Sequence, residues 1–146
     1  MQQQDAQTTL LEEVYQSAAM GERGAELMLG KSQDNSMTAK LSEFRSEYAS
    51  IKEEAAERLA HSGKQPKEIG PAKTTAQWMG VQLGTLTDKS SARMAEVLIE
   101  GSTKKLIKNI EDIKHNPQAS HETRKLAGRL VKLEDDSLTA MRTYLN

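Results

Sequence analysis

Two five-residue stretches repeat a spacing suited to metal chemistry. "ERLAH" (Glu57 to His61) and "EDIKH" (Glu111 to His115) each set a glutamate four residues before a histidine. In a helix that is about one turn, so both side chains share a face, and imidazole with carboxylate suits iron or zinc. Two such pairs would make half of a dinuclear site. Their placement argues for another role. Glu57 and Glu111 project off the apolar stripes of their helices, and each histidine stands at a helix C-terminus, where it meets the dipole and free carbonyls. Both pairs are therefore read as helix stops, with the histidines satisfying terminal carbonyls.

Carboxylates in the middle of helices are the other source of chemistry. Projected at about 100° per residue, Glu22 falls within an apolar stripe and Glu134 close to one, while Glu47 sits on a flank and Glu96 and Glu100 face away. Two interior carboxylates can do acid and base work or bind a metal. The structural reading pairs them with a lysine such as Lys105, or with Ser and Tyr hydroxyls, because an unpaired buried charge is costly. No catalytic residue is assigned: the chain has no nucleophile elbow, phosphate loop or dinucleotide fingerprint. Zero cysteines exclude disulfides, thiolate zinc sites and a cysteine nucleophile. The seven methionines read as core fillers.

The elements that must position these residues are helices. The chain has 146 residues, one Phe and one Trp, which suits a single all-α domain over 1–146. Periodicity and stop signals predict helices over roughly 8–30, 36–61, 71–87, 89–114 and 119–144. Thr9 and Glu12 form a possible capping box for the first. Gly30 is expected to end that helix in the left-handed conformation, with Asn35 or Ser36 capping the next. The second has the cleanest stripe: Met37, Leu41, Phe44, Tyr48, Ile51, Ala55 and Leu59. Gly63 ends it. Pro71 opens a shorter helix with Ala76, Met79, Leu83 and Leu86 on one face, and Asp88 is expected to cap the one after. That helix should bury Ala95, Leu98, Ser102, Leu106 and Ile113 before Pro117 turns the chain. The last aligns Leu126, Leu130, Ser137, Met141 and Tyr144. Short breaks make two antiparallel hairpins of long helices, and the longer joining segment with its own helix is long enough to cross back along a bundle.

The segments "SEYASIKEEAAERLAHSG", "QWMGVQLG" and "TDKSSARMAEVLIEG", with the proline before the last helix, give this layout a likeness. On them the chain resembles the ferritin-like superfamily, and within it the uncharacterised bacterial four-helix-bundle proteins classed as a domain of unknown function. The resemblance implies a ferritin-like four-helix bundle with a short crossover helix, in a superfamily where many members oxidise or store iron. Its di-iron sites take a glutamate from two helices and a Glu-x-x-His pair from each of the other two. No Glu-x-x-His occurs on the helices of this chain.

The expected function is therefore a non-enzymatic binding or structural bundle module, with no cofactor. The alternative is a divergent ferritin-like metal-binding protein or metal-dependent oxidoreductase using Glu22 and Glu134. Two features point to a partner. Gly21 and Gly24 lie among Ala18, Ala19 and Ala25 on the first helix, and small residues let another helix approach closely. Trp78 sits on the flank of the crossover helix, and Trp is enriched in interface hot spots. A homo-oligomer through either face is the partner expected. Twenty basic against twenty-one acidic side chains give a net charge of −1, which speaks against nucleic acid and anionic membranes. No basic and apolar leader opens the sequence and no run is long enough for a membrane span, so a cytoplasmic location is expected.

Overall fold

A computed structural model of the chain describes residues 2–68, 82 and 85–145. Among them the regular structure is all helical: α1 (Gln2–Leu29), α2 (Asn35–His61), α3 (Ser91–His115) and α4 (His121–Arg142). None of these helices is long and apolar enough to cross a membrane. Of the helix expected over 71–87, all but Gln82 and residues 85–87 lie outside the described residues, and Trp78 lies outside with them.

Helix starts differ from the sequence reading where a side chain competes for the cap. α1 begins at Gln2 and not at Thr8, so the Thr9–Glu12 box is not used. Gln and Ala are good helix formers, and tertiary contacts hold the added turns. Ala6 packs on the core, and Gln7 Oε1 accepts a 2.8 Å bond from the backbone N–H of Ser120. α2 is capped by Asp34 in place of Asn35 or Ser36: its Oδ1 accepts from Met37 N at 2.9 Å and from the Ser36 hydroxyl at 3.0 Å. These bonds hold the Asp34 carboxyl below its usual pKa. α3 starts after Ser90, which caps Arg93 N, while Asp88 accepts from Ser90 N one step earlier. α4 starts after Ser120, whose Oγ accepts from Thr123 N at 3.2 Å.

Helix ends are backbone devices. Gly63 is the expected left-handed stop, at φ 72°. Its N–H bonds Ala60 O, and Lys64 N–H reaches back to Leu59 O, the pattern of a Schellman cap. Gly30 is not in the left-handed region; α1 ends in a tight turn in which Lys31 and Ser32 N–H both bond Met28 O.

The seven residues of the α2 stripe are the seven that α2 buries. α4 buries its expected Leu126, Leu130, Ser137 and Met141, together with Thr123, Leu133 and Glu134; Tyr144 is half-buried. α3 departs most. It buries Ala95 and Ser102 as expected, but also Val97, Lys105 and Asn109, leaving Leu98, Leu106 and Ile113 half-buried. Of the polar residues on that face, Lys105 meets Glu134.

Contacts between α2 and α4 pair Ser36 with Tyr144, Tyr48 with Glu134, Ser50 with Arg129, and Arg58 with Glu122. Residue numbers fall along one helix as they rise along the other. Between α1 and α3, Glu13 meets Lys108, and Gln2 meets Gln118 just beyond α3.

The Ser120 cap isolates one of these devices. Ser120→Ala keeps the backbone bond to Gln7 and removes the hydroxyl, which accepts from Thr123 N–H and donates to Thr123 Oγ1, so it should lower stability by about 1–2 kcal/mol. Urea denaturation measures this as a lower midpoint at unchanged slope.

Candidate functional site

The most chemically loaded place in the bundle is a layer to which each helix contributes. α4 places Glu134 at full burial, α3 places Lys105 at 3% exposure, and α2 places Tyr48 at 4%. Lys105 Nζ donates to Glu134 Oε1 at 2.9 Å, and the Tyr48 hydroxyl donates to the same oxygen. The ammonium also lies 4.3 Å from the centroid of the Tyr48 ring, a cation–π contact that gains strength when desolvated. α1 contributes an absence of side chain. A Cβ on Gly21 would overlap ring carbons of Tyr48, so glycine is what lets the ring lie between α1 and Lys105.

The electrostatics follow from burial. A fully buried carboxylate needs its charge met in place, and Lys105 meets it. Removing one partner of such a pair typically costs about 3–5 kcal/mol, because the other is left charged in the core. Burial pushes the Tyr48 hydroxyl well above its usual pKa, and the Glu134 charge pushes it further, while Ser102 works weakly the other way. Tyr48 is thus a hydrogen-bond donor and not a base at neutral pH. Glu134 Oε2, Ser17 Oγ and Asn109 Nδ2 are buried without a hydrogen-bond partner among the described residues.

Beside this layer a pocket of about 40 Å³ is bordered by Gly21, Gly24, Phe44, Tyr48, Gly101 and Lys105. A water needs roughly 10–15 Å³ measured this way, so about three or four fit.

Glu22 is elsewhere. It is half-buried on the seam of α1 with α2 and binds Lys52, whose ammonium pKa is raised by that hydrogen bond. The helical projection put it within the stripe, but the glycine beside it holds the interior position and the Glu22 side chain reaches sideways to Lys52. Glu22 and Glu134 therefore have separate lysines. Gly21 is spent on Tyr48 of the same chain, and Gly24 is buried on the pocket wall.

Glu57, His61, Glu111 and His115 are all exposed, the two histidines as the last residues of α2 and α3. The terminal carbonyls go to other donors: backbone N–H groups after α2, and the Asn116 side chain, which bonds Asp112 O at 2.8 Å, after α3. The histidines mark the helix ends without capping them, because Gly63 and Asn116 supply donors closer to the helix axis. Among the described residues no three His, Asp or Glu side chains are grouped to hold a metal ion.

The partners expected for an interior carboxylate are a lysine such as Lys105 or Ser and Tyr hydroxyls; Glu134 has both Lys105 and a tyrosine, Tyr48, which the sequence reading does not single out. The signal was present: Tyr48 is the one hydroxyl in an otherwise apolar α2 stripe. Comparison of the chain with protein-family models, with curated proteins and with solved structures finds no match.

The raised Tyr48 pKa fixes the sign of an alkaline limb. The unfolded tyrosine ionises near its ordinary value of 10.0 while the folded one stays neutral, so its contribution is intact below about pH 10 and is lost as pH rises through the folded value. Each proton adds a slope of about 1.4 kcal/mol per pH unit. Denaturation midpoints from pH 8 to 11.5 should fall above pH 10, and Tyr48→Phe should make that fall shallower.

Proposed function

We propose that the chain is a non-enzymatic helical-bundle module with a binding or structural role, its interior charge satisfied by protein and not by metal. One observation carries this reading: Lys105 Nζ sits 2.9 Å from Glu134 Oε1 in the core, so a lysine ammonium supplies the positive charge that a metal ion would supply to an interior carboxylate. A metal cluster needs several anionic or imidazole ligands converging on one point. Here the two central carboxylates, Glu22 and Glu134, are each engaged by their own lysine, and the hydroxyl beside Glu134 is held protonated.

The proposed arrangement is ferritin-like: α1–α2 and α3–α4 as antiparallel hairpins, with α2 and α3 running the same way. The opposed numbering of the α2–α4 contacts and the meeting of Glu13 with Lys108 support it. A second copy of the chain is one partner this reading admits, and static light scattering of the purified chain reads that directly.

Metal content separates this reading from a divergent metal-dependent oxidoreductase. Protein purified from iron-supplemented cells should carry far less than one iron per chain by elemental analysis. One or more tightly held irons per chain overturns the proposal.

A further inference from the structure

We propose that the buried Tyr48–Lys105–Glu134 layer sets the axial register of the helices, and that this, more than stability, is its contribution. The leucine row of α4 and the buried methionines discriminate poorly between registers. Its fully buried members include Met28, Met37, Met94 and Met141, and methionine adapts to irregular gaps. On α4 the positions one turn either side of Glu134 are Leu130 and Leu138, both buried. Sliding α4 by a turn therefore returns a leucine to the place opposite an aliphatic neighbour, a volume change that cores tolerate.

The polar layer does not tolerate it. A one-turn slide of α4 sets a leucine against Lys105 and carries Glu134 to the level of Phe44 or Ile51 on α2. An ammonium and a carboxylate are then buried apart. A one-turn slide of α3 puts Gly101 or Asn109 in place of Lys105, with the same result. α1 is tied in through Gly21, the residue on which the Tyr48 ring lies. A buried ion pair contributes little net stability compared with apolar residues of the same volume, while a single buried polar group can fix register. The layer combines those properties.

The test replaces the layer by apolar residues of similar size, Tyr48→Phe with Lys105→Met and Glu134→Leu, and reads register directly. The chain has no cysteine, so Lys40→Cys and Lys125→Cys, at exposed positions on α2 and α4, give two unique spin-label sites. With the native layer, dipolar spectroscopy should show one narrow distance. In the apolar variant, helical circular dichroism should persist and a second distance population should appear, displaced by about 5 Å, one helical turn. A single narrow distance identical to that of the native layer overturns the proposal. Loss of the helical signal in the variant also overturns it, because the layer would then be supplying stability.

Discussion

A carboxylate with no exposed surface, placed in the middle of the four described helices, constrains everything around it. Glu134 is fully buried, so its charge and its hydrogen bonds have to be met within the core. Lys105 and Tyr48 meet them from two other helices, and Gly21 on the remaining helix provides the room. The inward rotation of α3 is part of the same solution. It buries Lys105 and Ser102 and leaves Ile107 and Ile110 on the outside, an arrangement that apolar burial alone would not select.

The same constraint decides what the interior can do chemically. General acid and base work needs a group whose protonation state changes near neutral pH. The Tyr48 hydroxyl is moved away from that range, and Glu134 shares one oxygen with two donors. Among the described residues Oε2 has no hydrogen-bond partner. A single buried acceptor suits an ordered water better than a substrate.

How much of this was legible in the sequence depended on the kind of residue. The α2 stripe was read residue by residue because it is apolar throughout and keeps the helical period. α3 was misread because its buried face includes a lysine and an asparagine, and hydropathy projects such residues outward unless a partner on another helix is known. Glu134 and its lysine were anticipated from the cost of burying charge. Glu22 was placed too deep, since a projection records the angle of a Cα and not the reach of a long side chain. Helix ends at Gly63 were predictable from conformational preference, whereas the start of α1 was not, because its first turns are held by Gln7 and Gln2 reaching residues of the last hairpin.

Those tethers have a temporal meaning. The hydrogen bond from Ser120 to Gln7 closes a sequence separation of 113 residues, and that between Ser36 and Tyr144 closes 108. Each joins a part of the chain made early in synthesis to one made late. The α1–α2 hairpin can form as it emerges, but Glu134 reaches Tyr48 only after α4 has been made, so until then the tyrosine waits in a half-built core without its acceptor. Long-range closure of this kind is slow relative to local helix formation, and the interval exposes the apolar face of the first hairpin. The charged layer cannot be completed before α4 has been made.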